Sequence, residues 1–121
     1  MSRQILAETH IHPAIRDMVS SLNADIVKEV QGAAAAHAVV VVGMRQNPMP
    51  RYARKVLDRG NIPYKYLEYG SYLSGWRRRN ALKMWTGWPT FPMVFVKGVL
   101  VGGAQDLARL HASGELKKLL A

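Results

Sequence analysis

The stretch Trp88-Pro-Thr-Phe-Pro-Met-Val-Phe-Val-Lys-Gly98 is a turn punctuated by two prolines, followed by four apolar residues of strand length. Lys97-Gly98 separates that run from a second one, Val99-Leu-Val101, and two short apolar runs around a glycine-containing turn predict a hairpin. The pair Gly102-Gly103 then leads into an apolar-periodic segment, so a tight backbone bend is expected to open a helix, broken near Ser113-Gly114.

Upstream, Ala38-Val-Val-Val-Val-Gly43 holds no polar residue, which suits a strand covered on both faces at the centre of a sheet. Arg45-Gln-Asn-Pro-Met-Pro50 reads as a loop ending at a helix start. Tyr52, Ala53, Val56 and Leu57 form the apolar side of a short basic helix that Gly60 stops. Residues 62–69 alternate apolar and polar positions and predict a second strand. A helix is expected over 71–85, carrying Arg77, Arg78 and Arg79, with Leu73, Trp76, Leu82 and Trp85 facing inward. From Pro13 onward, Ile15, Met18, Val19, Leu22, Ile26 and Val30 share one helical face, and Asn23 favours two short helices over one long one. Residues 1–12 show no period and are expected to form a loose arm before a single domain over 13–121. The order is helix, strand, helix, strand, helix, strand, strand, helix. It predicts an α/β fold with a four-stranded mixed sheet flanked by helices and an extra N-terminal helix.

The chain has 121 residues and no cysteine, which excludes a disulfide scaffold, a thiolate zinc site, cysteine-held iron–sulfur chemistry and any thiol nucleophile of its own. Seventeen Lys and Arg against eight Asp and Glu give a formal charge of +9, which attracts anionic partners without specifying one. A basic nucleic-acid-binding domain is one reading, disfavoured because the charge is scattered through several segments. The most apolar stretch, residues 33–44, is interrupted by His37 and falls far short of the roughly 20 residues that span a bilayer, so no membrane partner is expected. With no apolar leader at its start, the chain reads as cytoplasmic. His10 and His12 lack converging partners for a metal, and none is expected. Trp76, Trp85 and Trp88 read as core and groove packing.

Three stretches in order, 88–98, then Val101-Gly-Gly-Ala-Gln-Asp-Leu107, then Leu110-His-Ala-Ser-Gly-Glu-Leu116, resemble the C-terminal half of a glutaredoxin, of thioredoxin-like fold. The N-terminal helix, with Arg45-Gln46 and Pro48, is more similar to the monothiol branch. The resemblance implies a groove for glutathione. Thr90, Phe91 and Pro92 would supply a cis-proline segment whose backbone pairs with the cysteinyl part of the ligand. Gly103, Ala104 and Gln105 would open the last helix, whose N-terminus receives the γ-glutamyl carboxylate. Ala104 and Gln105 stand where the family has Ser or Cys and then Asp. Arg79 would clamp the glycine carboxylate. The family lysine after the first strand falls near Met44, leaving Arg45 beside it.

The decisive departure is the redox cysteine, normally held at a helix start where its pKa is lowered. Its position falls on Asn47, so that Asn-Pro-Met-Pro replaces a Cys-X-X-Cys, or on Pro50, so that Pro-Arg-Tyr-Ala replaces Cys-Gly-Phe-Ser. The first keeps the helix whole and is preferred. Neither residue forms a thiolate, a mixed disulfide or an iron bond. The expectation is a cysteine-less glutaredoxin-like protein with no catalytic residue, no iron–sulfur cluster and no thiol–disulfide oxidoreductase activity. Its groove would bind glutathione weakly or a protein partner, a second copy of the chain included. The alternative enzyme would use the thiol of bound glutathione as its nucleophile.

Overall fold

The computed structural model describes residues 2–121. After a 3-10 turn at Glu8–His10, the elements are α1 (Pro13–Ser21), α2 (Ala24–Ala36), β1 (Val39–Gly43), α3 (Pro48–Arg59), β2 (Lys65–Glu68), α4 (Trp76–Thr86), β3 (Met93–Val96), β4 (Val99–Gly102), α5 (Ala104–Ala112) and α6 (Glu115–Leu120). The sheet order is β2-β1-β3-β4. β1 runs parallel to β2 and antiparallel to β3, and β3 pairs antiparallel with β4.

All five residues of β1 are buried, as an uninterrupted β-branched run in a central strand requires. Alternation along β1 then feeds two cores. Val40 and Val42 pack with Ile26 and Val30 of α2 and Leu82 of α4, while Val39 and Val41 meet Ala53 and Leu57 of α3, Leu107 of α5 and Leu116 of α6. Helices therefore cover both faces of the sheet. Their N-termini α3 and α5 open at the end where β1 and β4 terminate, which places the site.

Four expectations are corrected. Ile15, Met18, Val19 and Leu22 are all exposed and α1 buries nothing, because Asn23 takes a left-handed conformation (φ 52°) that turns α1 away from the face carrying Ile26 and Val30. Leu73 and Trp76 are also exposed. The helix expected from residue 71 starts only at Trp76, because Ser71 and Ser74 pair backbone to backbone and close a turn ahead of it. The second strand shortens to Lys65–Glu68 at the sheet edge. In the N-terminal segment, Arg3 Nη2 donates to Trp85 O at 3.2 Å and His12 Nδ1 accepts from Ala14 N at 3.0 Å, capping α1.

The β2 edge is tied down by two phenols. Tyr66 donates to Glu68 Oε1 at 3.0 Å, and Tyr69 donates to Glu29 of α2. Burial first, and then the adjoining Glu68 carboxylate, push the Tyr66 phenol up to about 12 from the ordinary 10.0. Burial and Glu29 push Tyr69 up further still. Between pH 10 and 12 the unfolded chain gives up these protons while the folded chain keeps them. The stabilisation is thus whole below pH 10 and is lost as pH rises through the folded values. In an ultraviolet titration, two of the five tyrosines are expected to ionise late. Tyr66→Phe and Tyr69→Phe should each remove one late phenol and blunt the alkaline fall in Tm. A single transition of all five near pH 10 would contradict this.

Candidate functional site

At the α3 and α5 ends of the sheet lies a groove of about 500 Å³. One wall is the start of α3, where Pro48 suits the first turn and Asn47 is the N-cap. Asn47 makes two contacts. Its Oδ1 accepts from Met49 N at 3.0 Å, and its Nδ2 donates across the groove to Phe91 O at 3.2 Å. Pro50, the other candidate for the vestigial position, is buried beneath β1, so close that a Cβ on Gly43 would lie 2.7 Å from its Cβ. Asn47 lines the groove and Pro50 does not.

The floor is the segment 88–92. The Phe91–Pro92 peptide is cis, Phe91 is buried, and Thr90 is exposed at the rim. Trp88 lines the groove as well, and its indole N–H is buried with no partner among the described residues. A buried donor left unpaired costs free energy that a ligand acceptor would relieve.

The far wall is the start of α5. Gly102 takes φ 116°, with a built Cβ falling 2.6 Å from Asp106 Oδ2, so a glycine is needed for the bend. Asp106 Oδ2 accepts from Gly103 N at 2.9 Å, and its other oxygen lies 3.7 Å from Arg109. Asp106 is thereby engaged by its own helix. The N–H groups of Ala104 and Gln105 belong to the first helical turn, which has no intrahelical partner for them and favours an anion. Thr90, Phe91, Pro92, Gly103, Ala104 and Gln105 are all brought together around one groove, with Asn47 facing them.

Arg79 is not brought there. This corrects the expectation of a carboxylate clamp. Its side chain is buried (6% exposed), and Nη1 donates to Tyr69 O at 3.0 Å and Ser74 O at 2.6 Å, holding the loop before α4. Burial lowers its pKa from the usual 12.5. The basic side chain in the groove is Lys83, one turn further along α4, with Nζ 5.8 Å from the Phe91 ring centroid. The i, i+4 spacing of Arg79 and Lys83 on one helix was the available signal. Arg45 is also elsewhere, in a hollow with Arg51, Arg54 and Glu68. Met44, near which the resemblance places the family lysine, and Met49 complete the groove lining, and no sequence pattern singled out Met49.

The arrangement offers hydrogen-bond donors, one ammonium and a carbonyl edge. It offers no thiol, and an iron–sulfur cluster does not fit, since the residue at the helix start is a carboxamide without affinity for iron. Among the described residues no group of three His, Asp or Glu could hold a metal ion, and no helix is long and apolar enough to cross a membrane.

Comparison with known proteins gives a consistent result. The family model for glutaredoxin matches residues 39–101, from β1 into β4, just over half of the chain. A glutaredoxin-like protein of Dictyostelium discoideum is 42% identical over 102 residues, covering 84% of this chain and 83% of that protein. Mitochondrial glutaredoxin-2 of Rattus norvegicus is 32% identical over 94 residues, covering 78% of this chain and 60% of its own length. The crystal structure of a buckwheat glutaredoxin–glutathione complex superposes with a TM-score of 0.72 over 82% of this chain and 90% of that one. At 24% identity it attests the fold alone. With the family's sequence signature running through the strands that build the groove, and the Dictyostelium relative aligned across 83% of its own length, this cysteine-free chain belongs to the glutaredoxin family.

Proposed function

We propose that the protein is a ligand-holding member of the family that carries out no thiol–disulfide exchange of its own. Its groove takes glutathione weakly, or an extended segment of a protein partner. The observation that carries this reading is Asn47, a carboxamide at the helix start where the family keeps its thiolate, bonded to the carbonyl of Phe91. Sulfur exchange needs an attacking thiolate, and no side chain here supplies one.

The buckwheat relative holds glutathione in a protein of the same fold. In this chain the backbone of Phe91 would pair with the middle of the tripeptide. The start of α5 and Lys83 would meet its carboxylates, and Trp88 Nε1 would find an acceptor. Asn47 Nδ2 already occupies the Phe91 carbonyl, so an incoming N–H competes with it. That competition, and the loss of an acid at position 105, account for low affinity.

Calorimetric titration with reduced and with oxidised glutathione is expected to give Kd values on the order of 1 mM, about −4 kcal/mol. Low-micromolar binding, or disulfide reduction by the purified chain, would overturn the reading.

A further inference from the structure

Arg51, Lys55 and Arg59 recur at every fourth position of α3, so they stand in one row about 6 Å apart. All three are exposed, and with Pro48, Tyr52 and Val56 they line a hollow of about 470 Å³ outside the glutathione groove. Asp58 is the sole acid on the helix. The two ion pairs among the described residues, Arg78–Asp25 and Arg109–Asp106, use none of the row. Like charges four apart on a helix repel, and Arg51 near the N-terminus opposes the helix dipole, while Arg59 in the last turn is favoured by it. The repulsion within the row is left uncompensated by any ion pair among the described residues.

We infer that this face of α3 is a docking surface for an acidic, amphipathic helical segment of a partner protein. Carboxylates one turn apart on such a helix repeat at the same 6 Å or so as the row, which permits paired guanidinium–carboxylate contacts at Arg51 and Arg59. Val56, Tyr52 and Pro48 form an apolar floor between the cations, shaped for an aliphatic side chain of the same segment. A phosphate backbone fits less well. The row spans only about 12 Å, and Asp58 on the helix breaks up its field.

The test uses the full chain and two probes: a synthetic helical peptide with Glu at every fourth position and a leucine face, and an oligothymidylate of equal charge. Fluorescence anisotropy at moderate salt is expected to show peptide binding that the triple variant R51E/K55E/R59E weakens by about tenfold or more. A control with the same charge change elsewhere, R77E/K117E/K118E, should stay within about twofold of wild type. Equal losses in both variants would reduce the effect to net charge, and tighter binding of the oligonucleotide would replace the partner class; either overturns the inference. So does a triple variant that binds like wild type. If the triple variant fails to fold by circular dichroism, the single variants R51A, K55A and R59A serve, each expected to weaken binding by about threefold, with three unchanged affinities overturning the inference. None of the three side chains lines the groove, so glutathione titration of the same variants should match wild type. Failure of this surface is thereby separable from failure of the groove reading.

Discussion

Asn47→Cys is expected to give the protein what it lacks, a thiolate at the start of α3. The backbone N–H of Met49, now 3.0 Å from Asn47 Oδ1, would donate to the new sulfur, and the helix dipole adds to that contact. A cysteine pKa lowered from about 8.5 to about 6.5 would raise the ionised fraction at pH 7 from about 3% to about 75%. Intrinsic nucleophilicity falls as pKa falls, so the gain in rate over an ordinary thiol is only a few-fold. The informative readouts are therefore the thiol pKa and the occupancy of the mixed disulfide. With oxidised glutathione the thiolate attacks one sulfur, forms a protein–glutathione disulfide and releases one glutathione thiolate, which mass spectrometry detects as one added glutathionyl group. Pro50→Cys places its sulfur beneath β1 and is expected to stay unmodified while the protein is folded. Should Pro50→Cys react and Asn47→Cys remain inert with an ordinary pKa, the register of the site is wrong.

That pair of variants addresses the one ambiguity that counting residues left open. Matching Ala53, Val56 and Leu57 backward placed the lost cysteine at Asn47, and matching Arg45, Gln46 and Pro48 forward placed it at Pro50. Both positions sit among prolines, which specify helix entry without specifying which side chain faces outward. What favours Asn47 is a long-range contact, its bond to Phe91, between residues 44 apart in sequence. A periodic pattern carries no information about such a pair.

Elsewhere, legibility follows the type of physical constraint. The four valines from Val39 to Val42 announce a strand buried on both faces because the run is β-branched, of strand length and leaves no polar position to face water. The Trp88–Gly98 stretch and the two glycines after it place the groove floor and the α5 entry by local backbone chemistry alone. Amphipathic spacing was a poorer guide at the margins. Ile15, Met18, Val19 and Leu22 share a helical face, yet one left-handed residue at Asn23 separates that face from the core. Leu73 and Trp76 likewise failed as core positions, because the Ser71–Ser74 pairing forms a turn where the period suggested a helix.

Arg79 is the sharpest case, and its substitution is expected to act on stability rather than on ligand. The guanidinium is enclosed by the loop it holds. Nη1 serves the carbonyls of Tyr69 and Ser74, and a Cβ on Gly70, whose φ is 67°, would lie 2.8 Å from it. Arg45 N donates to Gly70 O at 2.8 Å, so the same loop braces the segment leading to α3. Arg79→Ala leaves two carbonyls without their donor and a cavity beneath them, a loss of about 2–4 kcal/mol in denaturant-induced unfolding. Its effect on glutathione affinity should stay within about threefold where the protein is folded, since the side chain does not line the groove. Lys83→Gln is expected to behave in the opposite way, with stability within about 0.5 kcal/mol of wild type and a several-fold loss of affinity that shrinks as salt rises. The two variants thus exchange readouts. If Arg79→Ala instead kept its stability and lost ligand, the carboxylate clamp implied by the family resemblance would be restored, and the buried arginine would have to swing out of its loop to reach the groove.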